Sequence, residues 1–489
     1  MTLLSIDAKS LEVSDPKAFR AAVDTRLRAG ARPITLYGRP SGDDVLVTAV
    51  LQSEGALEVH RGMVDRARGY HALTEDFPAM HAFERELHEQ HGVRIAGHPW
   101  LKPIRFERGG PRELDAYPFY EIRGKEVHEV AVGPIHAGVI EPGAFRFMCL
   151  GEMVHHLEIH LGYQHRGVEA LLLRGDPKKH APLVETIAGD SSIAHGWAYS
   201  AAIESLCSGE SGGHEPELED PRGILLELER IAMHLAGLAG LAADVGFLQG
   251  AATYGRLRTT AINTSMRLCG SRFGRGAMRP GGLGARLVES ADGDALTLAE
   301  LRDALNLLER DIAIIDDCFF SARTVQHRLQ GVGALSESTA QSIGLVGMAA
   351  RACGVEVDQR RGGVWSELPV VVEQTGDCWA RARIRSREIG ASLAWIGKTL
   401  ERTGAFSRSR SAVATLGSDR LVISMVEGFR GEVVHCLETD EQGALVHYKV
   451  QDPSLRNWLG LALAVRNNEI SDFPICNKSF DLSYCGNDL

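Results

Sequence analysis

The chain has 489 residues, with 53 lysines and arginines against 64 aspartates and glutamates, and its net charge is −11 at pH 7. A single hydrophobic core stops growing at about 250 to 300 residues, so this length predicts two domains. The acidic balance excludes a basic nucleic-acid-binding face, and the sequence has neither a secretory leader nor an apolar run of about 18 residues, which predicts a cytoplasmic protein.

The first predicted elements are two strands and a helix. Residues 33–38 (PITLYG) and 44–52 (DVLVTAVLQ) are apolar runs bounded by Gly, Pro and Asp, which is typical of strands. Apolar residues then recur near helical spacing from Phe77 to Leu87, until Gly92 and Pro99 end the pattern. These elements predict a small α/β domain.

A stretch rich in Gly, Pro and charge runs from Arg108 to Tyr120 and has little apolar periodicity, so it is the predicted linker. We place the domain boundary near residue 115. The first domain is then residues 1–115 and the second is residues 116–489.

The second domain is predicted to be mainly helical with peripheral strands, which gives the whole chain an α+β fold. Residues 151–163 alternate as a strand does, and the Leu- and Ala-rich segment that begins at Pro221 predicts a long buried helix. Further helices are predicted at 297–317, 336–350 and 377–403. The tail is predicted to hold three strands and a helix, at 420–428, 431–440, 444–450 and 458–468.

Four histidines in or near the predicted strand, at positions 155, 156, 160 and 165, look like a metal cluster. Only His156 and His160 share a strand face, about 13 Å apart at roughly 3.3 Å per residue, and no CxxC pair or carboxylate triad frames them. A polar strand face against solvent or another element is the better interpretation.

Glycine-rich loops occur at 273–285 (FGRGAMRPGGLGA) and 360–365 (RRGGVW). Neither matches GxGxxG after a strand or a P-loop, so turn formation explains the glycines better than phosphate binding. Nine cysteines are scattered without a CxxC pair, which fits neither a disulfide framework nor a zinc or iron-sulfur site.

Glu227, Arg230 and His234 fall on one side of the predicted long helix. Two interpretations stay open from the spacing alone. One is a surface stripe with an intrahelical Glu to Arg pair, and the other is a proton or charge relay that faces a pocket.

Six motifs resemble, in order, the large subunit of membrane-bound, energy-converting nickel-iron hydrogenases of the formate hydrogenlyase and hydrogenase-4 type. The motifs are GPIHAGVIEPGAF (133–145), GYQHRGVEALL (162–172), AHGWAYSAAIES (194–205), the long helix that ends at Asp244, MRPGGL (278–283) and DFPICNKSFDLSYC (472–485). The quinone-pocket large subunit of complex I is a more distant relative. Residues 83–106 are similar to the accessory subunit that complex I carries separately and that these hydrogenases fuse at the N-terminus.

The resemblance implies where metal ligands would stand. In the hydrogenases, two CxxC pairs supply the four thiolates that hold nickel and iron. The corresponding residues here are Ala188, Ser191, Ser483 and Gly486. We therefore expect no metal or other cofactor on this chain and no hydrogenase activity, while a residual metal site at Cys476 and Cys485 stays an open question.

Complex I instead uses a His and a Tyr to protonate a quinone, and the resemblance implies that these positions are Ile140 and Gly189 here. The surviving matches define our site prediction. We predict that proton transfer is carried by Glu169, His195, Tyr199 and Asp244. The further pocket or proton-path residues are His136, Arg166, Glu227, Arg230, His234, Arg279 and Asp377.

The resemblance also implies partners. We expect the chain to dock on a small subunit with an iron-sulfur cluster and on antiporter-like membrane subunits, peripherally at the cytoplasmic face of the membrane. It would couple electron transfer from that cluster to an unidentified acceptor, with quinone as one choice, and to ion translocation. The alternative is a non-catalytic structural or coupling subunit with an apolar filling in place of the metal.

Overall fold

The computed structural model describes residues 1–107, 117–124, 126–138, 140–207, 216–410 and 415–489. Most of the predicted linker falls on residues 108–116 and so lies outside the described residues, and the domain boundary near residue 115 stays a prediction. The described helices and strands form separate groups, which confirms the α+β fold. Across these ranges no helix is both long enough and apolar enough to cross a bilayer.

The N-terminal elements are centred on one four-stranded sheet. The elements are β1 (Thr2–Asp7), β2 (Val13–Ser14), α1 (Pro16–Arg28), β3 (Arg32–Ser41), β4 (Asp44–Ser53), β5 (Ala56–Asp65), β6 (Tyr70–His71), α2 (His81–His91) and β7 (Ile95–Ala96). The strands of this sheet are ordered β2, β5, β4 and β3. Asp15 begins α1 by accepting hydrogen bonds from the N–H groups of Lys17 and Ala18. Phe19 of α1 and Phe83 of α2 are fully buried in the core of this part. The two predicted strands and the helix are confirmed.

The middle of the chain is mainly helical, as predicted. Its elements are β8 (Val127–Val132), β9 (Ala144–Leu150), β10 (Met153–His160), α3 (Val168–Leu172), α4 (Ala181–Val184), α5 (Ser192–Cys207), α6 (Pro216–Asp244), α7 (Leu248–Cys269), β11 (Met278–Arg279), β12 (Gly282–Leu283), α8 (Leu298–Ser321), α9 (Arg323–Leu329), α10 (Glu337–Ser342), α11 (Gly347–Arg351) and α12 (Cys378–Thr403). The long helices α6, α7, α8 and α12 share one apolar core.

The single helix predicted at 336–350 is wrong, because this segment forms the two short helices α10 and α11. Gly344, between the two helices, and Gly347, the first residue of α11, have φ of +68° and +63°, a conformation that interrupts a helix. A Cβ atom on Gly347 would lie 2.0 Å from the carbonyl oxygen of Arg430. The break therefore lets the backbone approach the turn between two tail strands closely.

The tail forms a second sheet. Its elements are β13 (Ser409–Arg410), β14 (Arg420–Gly428), β15 (Gly431–Thr439), β16 (Leu445–Gln451), α13 (Ser454–Ala464), α14 (Phe473–Phe480) and α15 (Tyr484–Asp488). The three predicted tail strands are confirmed, and the predicted last helix is α13, which begins and ends four residues earlier. β1, which was not predicted, completes the sheet by pairing antiparallel with β14.

The N-terminal and tail sheets contact each other through apolar and charged side chains. Ile34 and Tyr37 of β3 pack with Ile423 of β14 in one buried cluster. Buried ion pairs cross the same boundary, with 2.9 Å between Arg61 Nη2 and Glu438 Oε2, and 2.6 Å between Lys449 Nζ and Glu86 Oε1. These contacts hold the first 107 residues against the tail.

Candidate proton-transfer site

The four positions that the resemblance assigns to the hydrogenase cysteines, here called the cage positions, lie in two loops, here called the cage loops. Ala188 and Ser191 precede α5, while Ser483 and Gly486 lie at the start of α15. All four residues are buried. The Oγ atom of Ser483 accepts a hydrogen bond of 2.9 Å from the N–H of Gly486 and so caps α15. None of these side chains offers the soft sulfur that nickel and iron require.

The carboxylate of Asp452 occupies the space beside Gly486. A Cβ atom on Gly486 would lie 2.6 Å from Cγ of Asp452, which is closer than any real contact. A cysteine at residue 486 would therefore meet a buried acid rather than an open metal position. Neither the donor atoms nor the space around them fit a nickel-iron centre.

Asp452 begins a chain of four buried polar side chains. Its Oδ2 atom lies 3.2 Å from Nε2 of His195, and Nδ1 of His195 lies 3.1 Å from Nε2 of His435. Nδ1 of His435 lies 2.9 Å from the hydroxyl of Tyr448. Because a neutral imidazole has one donor and one acceptor nitrogen, this chain can pass a proton from group to group.

Burial and neighbouring charges change the pKa values of the side chains in this hydrogen-bonded chain. It lowers the pKa of His435 well below its ordinary value, and the neighbouring His195 adds to that effect. Burial alone would raise the pKa of Asp452, but His195 and Arg430 outweigh it and the pKa is lowered. The charged end of the hydrogen-bonded chain is therefore Asp452, which lies beside Gly486.

A bidentate ion pair helps to connect the two loops. Nη1 and Nη2 of Arg430 lie 2.7 and 2.6 Å from the two carboxylate oxygens of Asp190. Asp190 stands between the two cage positions of the first loop. Arg430 also donates to the carbonyl oxygen of Asp481, which precedes the second loop. One arginine thus fixes both loops in place.

Of the predicted proton carriers, His195 lies within this site and the other three have different surroundings. Tyr199, one helical turn later, donates its hydroxyl to Pro177 O at 2.6 Å and accepts from the N–H of His180. Asp244 is exposed at the end of α6. The sequence motifs contain His195, but they contain neither His435 nor Asp452, which lie on or just after tail strands.

Glu169 lies in an ion network between the N-terminal part and β16. Its Oε1 atom accepts the N–H of Val450 at 2.9 Å and lies 3.0 Å from Nζ of Lys449, while its Oε2 atom accepts from Gln90. Burial opposes ionisation, but Lys449 and Arg105 outweigh it and lower the pKa of Glu169. The carboxylate is therefore charged, and both of its oxygens accept hydrogen bonds within the protein.

Glu227, Arg230 and His234 all face the protein interior, so the surface-stripe interpretation is wrong. Arg230 Nε lies 3.1 Å from Glu227 Oε2, and His234 Nε2 lies 2.8 Å from Glu388 Oε2. Burial lowers the pKa of His234 to about 4, so the ring is neutral at pH 7. The same buried ion cluster contains Arg351, Asp358, Arg360, Glu388 and Glu427.

The remaining predicted pocket residues mainly hold loops. His136 Nε2 lies 2.7 Å from Gly143 O in the β8–β9 connection. Arg166 donates to the carbonyl oxygens of Thr186, Ile187 and Cys485, which flank both cage loops. Asp377 caps α12 by accepting the N–H of Ala380.

Arg279 lines an open cavity of about 370 Å³ together with Arg275 and Arg408. A Cβ atom on Gly189 would lie 3.7 Å from Nη2 of Arg275, so the cavity borders the first cage loop. The glycine-rich loop around it binds carboxylates of the chain itself, since Gly276 donates its N–H to Glu185. Gly274, Gly276 and Gly281 have positive φ, which confirms turn formation in this loop, while the lack of phosphate binding stays a prediction.

The histidines of the predicted strand and the cysteines Cys476 and Cys485 have separate surroundings. His156 contacts Arg466 and Tyr120, while His160 stacks on Tyr117, which fits a polar strand face against other elements. Cys476 Sγ lies 3.9 Å from Cys378 Sγ, and Cys485 Sγ lies 3.4 Å from Ser483 Oγ. Within the described ranges, no three His, Cys, Asp or Glu side chains come together as a metal site would need.

Comparison with known proteins identifies the class. The fold matches a chain of the membrane-bound sulfane sulfur reductase (MBS), an archaeal respiratory membrane complex, with a TM-score of 0.66 and 22% identity, over 76% of this chain and 100% of that chain. Formate hydrogenlyase subunit 5 of Escherichia coli (strain K12) is 27% identical over 85% of this chain and 76% of its own length. An NADH-quinone oxidoreductase subunit of Campylobacter curvus (strain 525.92) is 30% identical over 49% of this chain and 58% of its own length.

Residues 244–488 match the family described as the 49 Kd subunit of the respiratory-chain NADH dehydrogenase. The chain belongs to this family. The resemblance predicted from the sequence motifs, to hydrogenase large subunits and to complex I, is confirmed.

Proposed function

We propose that this chain is the large subunit of a membrane-associated oxidoreductase that passes electrons from an iron-sulfur partner to a small acceptor without a nickel-iron centre. The observation that carries the proposal is the altered cage. Thiolates are missing at all four positions, and the carboxylate of Asp452 lies where a cysteine at residue 486 would project. The site offers acid and base groups in place of metal ligands.

A quinone is the acceptor that suits such a site. Its reduction to a quinol takes up two electrons and two protons, so the electron path must end beside a proton supply. The chain from Asp452 through His195 and His435 to Tyr448 supports such a supply. The open cavity at Arg279, beside the first cage loop, supports entry of a small molecule.

The partners and location form part of the same proposal. Electrons would come from an iron-sulfur cluster on a small subunit, and antiporter-like membrane subunits would use the released free energy for ion translocation. The chain would lie peripherally on the cytoplasmic face of the membrane. Relatives named as subunits of hydrogenases and NADH-quinone oxidoreductases support this assembly.

Among the four predicted proton carriers, the contacts favour His195. Its two ring nitrogens lie near an acid and a second imidazole, whereas the carboxylate of Glu169 is held by Lys449 and a backbone N–H. Glu169→Gln tests the remaining assignment, because a proton carrier at this position would lose electron transfer to the acceptor. Unchanged turnover in that variant would leave His195 and Asp452 as the acting groups.

The experiment uses the intact membrane complex. Its iron-sulfur cluster is reduced chemically, and the rate at which ubiquinone-1 reoxidises it is followed by absorbance. We expect reoxidation without stoichiometric nickel, and an at least tenfold lower rate in Asp452→Asn, while Asp317→Asn on the exposed face of α8 keeps the wild-type rate. Tightly bound nickel at one atom per chain would overturn the proposal.

One observation favours the alternative of a non-catalytic coupling subunit. The buried ion cluster joins α6, α11, α12 and β14 through the contacts of Arg230, Arg351 and Glu388, which makes a rigid connection across the core. If the chain is such a subunit, ubiquinone-1 would not reoxidise the iron-sulfur cluster of the partner at all. Ion translocation driven by another electron acceptor would still depend on Arg351.

A further inference from the structure

A cavity of about 340 Å³ lies between the N-terminal part and the tail, and Asn487, the residue after Gly486, is part of its lining. One wall is α2 and the segment from Pro99 to Ile104, and the other is β10 and α13. Its apolar lining includes Leu161, Leu455 and Leu459. The size is at the lower end of the range for small-molecule sites.

Arg85 lines this cavity as a buried cation. The guanidinium donates through Nε to Lys102 O at 2.7 Å and through Nη2 to Pro103 O at 2.9 Å, and the Trp100 ring lies 4.4 Å from it. Among the described residues, no carboxylate lies within ion-pair distance of Arg85. Its remaining polar neighbours are the uncharged hydroxyl of Tyr117 and, beyond ion-pair distance, the carboxylates of Glu89 and Glu158. A buried cation without a directly bound counterion is costly.

The two nearby acids, Glu158 and Glu89, already accept hydrogen bonds from other groups. Glu158 accepts hydrogen bonds from Lys102 and from the N–H of Tyr120, and Glu89 accepts the backbone N–H groups of residues 104, 105 and 107. Lys102 is therefore neutralised by Glu158. The cavity keeps the charge of Arg85 and, at its rim, that of Arg466, which is exposed and contacts His156.

Two further buried groups that line the cavity lack partners. Nε1 of Trp458 and Nδ1 of His81 have no hydrogen-bond partner among the described residues, although the two side chains are 5% and 7% exposed. Buried polar atoms of this kind are nearly always satisfied, by protein, water or ligand. An acceptor group in the cavity would satisfy Trp458 Nε1 and Arg85, and also His81 in the tautomer that carries its proton on Nδ1.

We propose that this cavity binds a small organic carboxylate with an apolar or aromatic body. The carboxylate would pair with Arg85 and accept from Trp458 Nε1, and the body would lie on the leucines and against Trp100. The site borders the second cage loop through Asn487, but its binding of a carboxylate does not depend on the proposed function. It lies where the first 107 residues contact the tail, so its occupancy would strengthen that contact.

The probe is 2-naphthoate, titrated into the full chain by calorimetry, with 2-naphthamide as an uncharged molecule of the same shape. We expect a single naphthoate site, and at least tenfold weaker binding of the amide because it cannot neutralise Arg85. Equal affinity for the two molecules would overturn the proposal, and so would a failure of naphthoate to bind, which would mean that the cavity holds water only.

Two substitutions locate the site. Leu459→Trp fills the cavity and should abolish naphthoate binding, whereas Leu463→Trp, one turn further along α13 and equally half-buried, does not line it and should bind as the wild type does. Arg85→Gln should weaken binding at least tenfold. If Arg85→Gln does not fold, the Leu459→Trp result and the amide comparison still decide, since unchanged binding in Leu459→Trp would place the ligand elsewhere.

Discussion

Arg351 binds Glu388 at the centre of the buried ion cluster, with Nε and Nη2 at 2.9 and 2.6 Å from the same carboxylate oxygen. Both side chains are fully buried. Nη1 of Arg351 lies 2.8 Å from Glu427, and Glu388 also bonds His234. Helices α6, α11 and α12 therefore meet strand β14 at charged rather than apolar contacts.

Arg351→Met should destabilise the protein strongly, because it leaves Glu388 and Glu427 buried without their main cation. Loss of one partner of such a pair costs about 3–5 kcal/mol. Lys398→Met is the matched control, since its pair with Glu367 is exposed and worth about 1 kcal/mol at most. Urea unfolding compares the two variants, and a similar small loss in both would contradict the role of the cluster.

The same variant has a defined pH dependence. Burial opposes ionisation of Glu388, but Arg351 and His234 outweigh it, so its pKa lies well below the ordinary 4.5. The stabilisation is therefore present above pH 4.5 and is lost as the pH falls through the lowered pKa. Without Arg351 the carboxylates can protonate instead. The stability deficit of Arg351→Met should be largest near pH 8 and shrink toward pH 5.

Glu229 should give the opposite pH dependence. This carboxylate accepts the N–H groups of Ile193 and Ala194 at the start of α5, yet burial outweighs both bonds and raises the pKa of Glu229 to about 8. The folded protein therefore holds a proton that the unfolded chain releases near pH 4.5. The contribution of Glu229 to stability is full below that pH and is lost as the pH rises to 8.

Glu229→Gln tests this assignment, because glutamine is neutral at every pH. Relative to the wild type, the variant should gain stability between pH 5 and pH 8.5 in thermal unfolding. Glu401→Gln, on the exposed side of α12, serves as the control and should follow the wild-type curve. A Glu229→Gln curve parallel to that of the wild type would show that Glu229 does not hold a proton in the folded state.

Arg430→Met should loosen both cage loops, because Asp190 and Asp481 O lose their shared donor. We expect a loss of about 1–3 kcal/mol, since Asp190 is 34% exposed and can be rehydrated. Arg402→Met breaks a similar bidentate ion pair with Asp220 on the surface and should lower the free energy of unfolding by less. Hydrogen exchange should rise at residues 187–192 only in Arg430→Met, and protection there in both variants would refute the bridging role.

Cys378 should be ionised but protected. Burial opposes ionisation, yet the contacts with Cys476 and Arg381 outweigh it and lower the pKa of Cys378 to about 6. Iodoacetamide at pH 7.5 should label the exposed Cys318 at once and Cys378 only after urea is added, as peptide mass spectrometry would show. Equal labelling rates in the native protein would mean that α12 opens readily at its first turn.

The strands and helices that sequence patterns predicted well are those with strong local signals. The apolar runs of β3 and β4 carry their own boundaries. The Leu-rich α6 was also predicted, but its start was not, because the helix begins at Pro216 and Pro221 lies inside it. β1 was not predicted, because its six residues form a strand only through a partner more than 400 positions away. The break in the helix at 336–350 depends on the approach to Arg430, which no local pattern contains.

The candidate site was predicted only in part for a similar reason. His195 lies in a recognisable motif, but the groups on either side of it, Asp452 and His435, follow or lie on strands of the tail. Their side chains meet because β15 and β16 pair and pack beside α5. An acid in the sequence does not reveal that it fills the space beside Gly486, a position to which the resemblance assigns a thiolate.

The close approach of Asp452 to Gly486 bears on how the thiolate set could be rebuilt in this chain. A cysteine introduced at residue 486 would clash with the acid, and removal of the acid first would leave Nε2 of His195 without its carboxylate partner. Each single step toward the hydrogenase ligand set is therefore harmful before the others are made. Asp452 and Gly486 constrain each other, so a design that installs the metal must exchange the aspartate and the glycine together.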